Sequence, residues 1–410
     1  MLMNNVSYKI NNSELIIYVT GRIDSSNSAD FKAETDNIIK NTEHESLTLD
    51  LEKLEYISSA GLRVILHLRK EEPTTKLVNV SGEIYEILEM TGFTEMMTVK
   101  KAYRHLSVDG CNVIGKGAIG TVYRIDDDII VKVYGEATAL EDIHRERELA
   151  KRAFVLGIPT AIPFDVVKVG DNFGSVFELL KARSFAELII ENPADLQKYI
   201  DLSVELMKKI NSTKVKENEL PSIKNKALSA AEYLEKNLPA DKADKFRKMA
   251  DEIPDILNMV HGDLHIKNVM MQNGEAVLID MDTLSHGHPI FELQALFNAY
   301  IGYGEIDKNN VLDFFGIRYE TALELWNKIL RQYLESDDEA YIEEVENKAK
   351  LLGYAFLYKE FSLSDENPEG DLKRQIDAYR NHVLTLIDKV DSFDFEFPAG
   401  IADGTAKGAF

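Results

Sequence analysis

The stretch His261-Gly262-Asp263-Leu264-His265-Ile266-Lys267-Asn268 sets an acid and an amide five residues apart, and a second acid, Asp280, follows the amide by twelve residues. Between them, apolar Val269-Met270-Met271, the pair Asn273-Gly274 and a second apolar run over 276–279 read as a hairpin with a tight turn. Phosphoryl transfer passes through a loose transition state, so the protein mainly positions the nucleophile and neutralises charge. It needs a base and a carboxylate/amide pair that can hold Mg²⁺. Asp263, Asn268 and Asp280 are such a set. The bland alternative makes Asp263 a turn cap and Asp280 an ordinary strand-end acid, residues common in loops; the joint spacing argues against it.

A second cluster lies upstream. Gly115-Lys116-Gly117-Ala118-Ile119-Gly120-Thr121-Val122 carries glycines at a spacing that lets backbone amides approach phosphate. In a dinucleotide fingerprint these glycines would open a helix, whereas 121–125 and 129–134 read as strands about an Asp-rich turn. A kinase-type hairpin fits better. Lys132 stands in the second strand among apolar residues, where a charge is costly unless paired, so it is expected to meet phosphate and a helical glutamate. Helical periodicity selects the glutamate: Ala139, Ile143, Glu146, Ala150 and Ala153 form one stripe, while Glu141, Arg145, Glu148 and Arg152 form a charged one suited to surface ion pairs. Glu146 is the predicted partner of Lys132. Cys111, the only cysteine, is read as a small buried residue in the strand before the glycine loop.

With both ends in view, HGD-x₄-N and the strand-end Asp280 resemble the aminoglycoside phosphotransferase and choline kinase branch of the protein-kinase-like fold. The resemblance implies that Asp263 orients or deprotonates an acceptor hydroxyl, that Asn268 and Asp280 coordinate Mg²⁺, and that ATP is the donor. It places Val122 and Met270 on either side of the adenine. It also likens Phe177-Glu178-Leu179-Leu180 to the hinge that reads the base edge, so Glu178 and Leu180 join the nucleotide-binding set. Asp282 matches a second family acid, and His265 lies two residues past the base. The chain departs from the family at Ile266 and Lys267, at Gly287-His288-Pro289, and at Asn211, where relatives often carry histidine.

These residues need elements to hold them. A chain of 410 residues exceeds one core, and the pattern divides as 1–102, 103–181, 182–396 and a flexible tail over 397–410. The first part alternates strand and helix: strands over 7–10 and 15–20, closed by Gly21, a helix over 29–39, a strand over 46–51, a helix over 62–68, a strand over 76–80 and a helix after Ser81. The second is strand-rich and the third helical. Gly21-Arg22-Ile23-Asp24, Tyr56-Ile57-Ser58-Ser59-Ala60-Gly61-Leu62-Arg63 and Met90-Thr91-Gly92-Phe93 resemble the STAS domain of anti-sigma-factor antagonists. The expected fold is therefore an α/β STAS domain followed by a bilobal α+β kinase-like phosphotransferase domain. The STAS resemblance implies a protein partner or regulation, with Ser59 a candidate phosphosite, although Ser58 or Ser59 could simply cap the next helix.

The formal charge is −23, with −6 on residues 1–100 and −17 on the rest. Acidic balance in both parts disfavours nucleic acid and anionic membrane surfaces as partners. One cysteine forbids an intrachain disulfide, and no basic leader or long apolar run is read at the start, so a cytoplasmic setting is expected. The leading expectation is a kinase phosphorylating a hydroxyl of a small molecule. A serine protein kinase in an anti-sigma-type partner switch, or a silent nucleotide-binding scaffold, are the alternatives.

Overall fold

The computed structural model describes residues 6–117, 119–365, 367–398 and 400–401. Two compact units are present: the chain up to Ser107 together with Val166–Phe173, and Val108–Asp165 together with Gly174 onward.

The first unit is a five-stranded sheet in sequential order: Val6–Asn11, Glu14–Ile23, Ser46–Ile57, Lys76–Val80 and Val99–Lys101. The opening hairpin is antiparallel and the remaining pairs are parallel. Leu15, Ile17 and Val19 alternate into the core with Leu47, Leu49 and Leu51 beside them. The second strand does not end at Gly21, as expected, but runs on to Ile23. Gly21 adopts φ 75°, and the register slips there, so the strand kinks and resumes. The third strand likewise runs past 51 to Ile57, and a fifth strand not anticipated from sequence closes the sheet. Helices Ser28–Lys40, Ser59–Glu71 and Gly82–Met90 connect the strands. Ser58 caps the middle one by accepting from the Gly61 amide, and Ser59 is its first, exposed residue. Ser81 precedes the third helix but makes no side-chain capping bond. A side chain at Gly61 would meet Ile23 and Ile57 at 2.7 and 2.8 Å, so this helix start is pressed against the sheet. Arg104–His105 lies parallel to Val167–Lys168 within the same unit.

The second unit begins with antiparallel strands Asn112–Lys116, Gly120–Arg124 and Ile129–Tyr134, against which Gly174–Glu178 pairs. Helix Leu140–Val155 follows the third strand and buries Ile143, Glu146, Leu149, Ala150 and Ala153. Ala139, expected on that stripe, is instead the exposed residue before the helix. The charged stripe is exposed as predicted, yet its ion pairs differ: Arg145 meets Asp142, and Arg152 reaches Glu219 outside the helix. Cys111 is half-buried and precedes the strand instead of lying in it.

Helices Phe185–Glu191, Leu196–Ser212, Lys224–Asn237, Ala240–Glu252, Ile290–Tyr300, Asn309–Phe315, Tyr319–Leu334, Glu339–Ser364 and Gly370–Leu386 build the remainder around a core that includes Phe246, Phe291, Phe297, Trp326 and Tyr333. Hairpin Val269–Gln272/Glu275–Leu278 is set into it, turning at Asn273 and Gly274, both with positive φ as such a turn requires. Of the tail expected from 397, Phe397 packs on the core, and Ile401 is fully buried with its carbonyl accepting from Asn258 Nδ2. Packing therefore reaches residue 401; 402–410 lie outside the described residues.

Candidate active site

The loop 261–268 runs between the short strand Met259–Val260 and the hairpin strand Val269–Gln272. Its shape is set from within. Gly262 takes φ 76°, His261 Nδ1 accepts from the Asp263 amide at 3.2 Å, and the Asn268 amide donates to the His265 carbonyl at 2.8 Å. Asn268 Nδ2 then donates to the Asp263 carbonyl at 3.0 Å and to Asp263 Oδ2 at 2.9 Å. The two residues that the sequence paired are thus in direct contact. The Ile279 amide donates to the Asn268 carbonyl at 2.9 Å, which brings the adjoining Asp280 to the loop. Asp280 itself adopts φ 65°, an uncommon conformation for a residue with a side chain.

Lys132 joins this centre to the upstream cluster. Its Nζ lies 2.8 Å from Glu146 Oε1 and 3.1 Å from Asp280 Oδ1, so the residue chosen by periodicity is the one it meets. Burial works against the lysine's charge, but the charges of Asp280 and Glu146 outweigh it, and its pKa is raised. Burial also pushes the Glu146 carboxyl up, against the pull of Lys132.

Asp263 keeps 40% of its side chain exposed, yet the surrounding protein, followed by the charges of Asp280 and Asp282, raises its pKa to about 7. Asp282 is pushed up by the same kinds of cause, burial first and the charge of Asp280 second. Burial lowers His261 and His265 to about 4, leaving both neutral. His265 Nε2 is 3.5 Å from Asp263 Oδ1, at the limit of a hydrogen bond, and its ring sits edge-on to Phe314 and Phe315.

At the glycine loop, the Gly117 amide donates to the Gly120 carbonyl at 2.9 Å. A side chain at Gly120 would strike the Val133 carbonyl at 2.5 Å, so the neighbouring strand requires glycine there. Gly115 and Gly117 have room for a Cβ, the nearest atoms lying at 3.6 and 4.0 Å. Strand packing gives no reason for glycine at those two positions. Ala118 lies outside the described residues. Val122 is half-buried and paired with Lys132, and Met270 is half-buried on the hairpin, paired with Val277. At the proposed hinge the Glu178 amide donates to the Ile162 carbonyl and the Leu179 amide to the Asp128 carbonyl, which removes both from base reading; Leu180 follows, half-buried. Ser59 belongs to the first unit.

The donor set fits a hard cation. Asp280 and Asn268 offer oxygen donors, and the mutual repulsion of the Asp263, Asp280 and Asp282 carboxylates is what a divalent charge would relieve. No group of three or more His, Cys, Asp or Glu side chains among the described residues could hold a metal alone. Phosphate oxygens and water would complete a Mg²⁺ shell, the usual arrangement for that ion at nucleotide sites.

Among the supporting residues, Glu292 and Tyr300 escaped the sequence reading, whereas Asn211 was singled out there. Glu292 is fully buried and accepts from the His261 and Gly262 amides at 2.8 and 3.2 Å; burial raises its pKa to about 7. Tyr300 Oη accepts from the Ile266 amide at 3.1 Å. Asn211 Nδ2 donates to the Met259 carbonyl at 3.0 Å, and its Oδ1 accepts from Tyr333 Oη at 2.8 Å. The signal for Glu292 was present: a lone acid in the apolar run 290–297 poses the same question as Lys132.

A strand-rich lobe and a helical lobe that join a lysine, a helical glutamate and a loop Asp–Asn pair define the class of kinase-like phosphotransferases. The model of the phosphotransferase enzyme family matches residues 110–328, just over half the chain, and the chain belongs to that family. The STAS domain model matches residues 5–106. Over 89 residues the chain is 34% identical to the putative anti-sigma factor antagonist BtrV of Bordetella bronchiseptica, covering 21% of this chain and 76% of that protein. A thermostable mutant of aminoglycoside phosphotransferase APH(4)-Ia, solved with AMP-PNP and hygromycin B, aligns over 68% of this chain and 93% of its own, at 13% identity and a TM-score of 0.47. The unphosphorylated anti-sigma factor antagonist SpoIIAA aligns over 23% of this chain and 86% of its own, at 17% identity and a TM-score of 0.21. Among the described residues no helix is long and apolar enough to cross a membrane.

Proposed function

We propose that this chain is an ATP- and Mg²⁺-dependent kinase that transfers the γ-phosphoryl group to a hydroxyl of a small molecule, with its STAS domain serving a protein partner or regulation. The observation that carries the reading is the convergence on Lys132, whose Nζ touches both Glu146 and Asp280 while Asp280 adjoins the Asp263–Asn268 pair. Lys132 holds the donor phosphates, and Glu146 holds Lys132. Gly115, Gly117 and Gly120 shape the loop over those phosphates, Val122 and Met270 flank the base, and Glu178 to Leu180 border it. Asn268 and Asp280 would hold Mg²⁺, which supplies charge neutralisation at the transferring phosphate.

Asp263 receives the proton of the acceptor hydroxyl as the new O–P bond forms and the bond to the bridging oxygen breaks, releasing ADP. A pKa near 7 suits that exchange, because about half of the carboxyl is ionised at neutral pH and the carboxylate is basic enough to take a proton. A small acceptor is favoured over a peptide by the short path from Asp280 to the helix at Ile290: nine residues leave little chain for the long activation segment with which protein kinases dock substrates. The single cysteine accords with a cytoplasmic setting.

Incubating the purified chain with γ-labelled ATP and Mg²⁺, with and without a library of hydroxylated metabolites and antibiotics, tests the assignment. Label in a small molecule is expected. Label on Ser59, the exposed first residue of its helix, would instead establish a serine kinase of a partner switch. Absence of label in both, with nucleotide still bound, would leave the scaffold reading.

A further inference from the structure

We propose that Tyr134 is a positioning residue for the phosphate-holding lysine: it grips the second oxygen of Glu146 so that the first stays turned toward Lys132. The inference rests on the reading of Lys132 and Glu146 as the pair that holds the donor.

The strand makes the arrangement possible. Lys132 and Tyr134 are two residues apart and so share one face of Ile129–Tyr134. Ser175 is directly opposite Lys132 on the neighbouring strand, on the same face. Glu146 enters between them from helix Leu140–Val155. Its Oε1 accepts from Lys132 at 2.8 Å, and its Oε2 accepts from Tyr134 Oη at 2.8 Å. Ser175 Oγ stands 3.1 Å from Tyr134 Oη.

Proton supply orders this chain. An ionised carboxylate only accepts, so the single phenolic proton is committed to Glu146, and Ser175 becomes the donor to the tyrosine oxygen. The hydrogen bonds then run from Ser175 to Tyr134 to Glu146, with Lys132 closing the other side. Tyr134, Ser175 and Glu146 are 2%, 0% and 5% exposed, so water has little access to replace a missing partner.

Two consequences follow for the lysine. The terminal torsion of a glutamate is soft, and a carboxylate held by one oxygen can turn about it; held by both, it cannot. Lys132 is also drawn by Asp280 at 3.1 Å, and a Glu146 that has turned away leaves the ammonium to that acid. Tyr134 thereby keeps the ammonium between two carboxylates instead of beside one. Phenylalanine at this position fills nearly the same volume and removes only the hydroxyl, which is the donor to Glu146 and the acceptor from Ser175.

The test is a double-mutant cycle on the full chain, read as the Kd for Mg·AMP-PNP by calorimetry. Tyr134→Phe is expected to weaken binding about tenfold, the scale of one hydrogen bond to a buried charge. Glu146→Gln should weaken it at least as much, and the double variant no further than Glu146→Gln alone, because the tyrosine acts through the glutamate. Ser175→Ala should lower affinity by about two- to threefold through the same route. A Tyr134→Phe Kd within twofold of the parent, with Glu146→Gln impaired, would overturn the proposal, as would a full, independent loss in the double variant. A parental Kd for Glu146→Gln would overturn both this inference and the pair beneath it. Should Tyr134→Phe melt below the assay temperature, Ser175→Ala combined with Glu146→Gln carries the same test.

Discussion

Asp263 is held at 2.9 Å by Asn268, and its carboxyl titrates near 7 because protein surrounds it and Asp280 and Asp282 stand close by. A base with a raised pKa works only once deprotonated. kcat/KM is therefore expected to rise with pH through about 7 and level off above it, and a profile already flat from pH 5 would contradict the assignment of the base. Replacing the base, Asp263→Asn, should lower turnover by about 10²- to 10⁴-fold while leaving nucleotide affinity near parental. Asp280→Asn differs in kind: it removes a carboxylate from both the lysine and the cation site, so turnover and Mg·nucleotide affinity should fall together. Undiminished turnover in either variant would refute the mechanism.

The glycine hairpin and the catalytic loop are the elements on which these side chains depend. Gly120 faces the Val133 carbonyl, so Gly120→Ala must push two strands apart and should cost about 1–3 kcal/mol of stability, the range for overpacking. Among the described residues Gly117→Ala meets nothing closer than 4.0 Å, and it should melt like the parent while weakening nucleotide binding. Melting curves and nucleotide titrations of the pair separate a glycine needed by the sheet from one needed by a phosphate. Beneath the catalytic loop, Glu292 spends both oxygens on the His261 and Gly262 amides, and a neutral carboxamide in its place would turn its NH₂ group toward a backbone donor. Glu292→Gln should therefore destabilise the fold by about 1–3 kcal/mol and depress turnover more than nucleotide affinity, because what shifts is the loop carrying Asp263.

Across the molecule, buried titrating groups pull stability in opposite directions. His261, His265 and His288 are depressed to about 4 by burial, so the unfolded chain binds their protons first and stability falls as pH drops from 6.5 toward 4. Asp263 and Glu292 are raised to about 7, so the folded chain binds their protons and stability falls as pH rises from about 4.5 to 7. Glu146 and Asp282 are raised by burial as well and add to the carboxyl side, so imidazoles and carboxyls oppose each other between about 4.5 and 6.5, and a pH series of melting curves should show a broad, shallow maximum there instead of a steep slope. Sequence alone carried the chemistry-bearing residues and the Lys132–Glu146 pairing, because a charge in an apolar strand and an acid in an apolar helical stripe each demand a partner. It also carried both family assignments and most strands of the first unit, where alternation is strict. What it left undecided involves contacts between segments far apart in the chain. Glu292 reaches back 31 residues to His261, and Tyr134 is 41 from Ser175. Local periodicity has no term for such distances. Whether Gly120 answers to a strand or to a ligand, and which hinge amides are already spent, was settled only by close packing, which brings a carbonyl to 2.5 Å from where a side chain would begin.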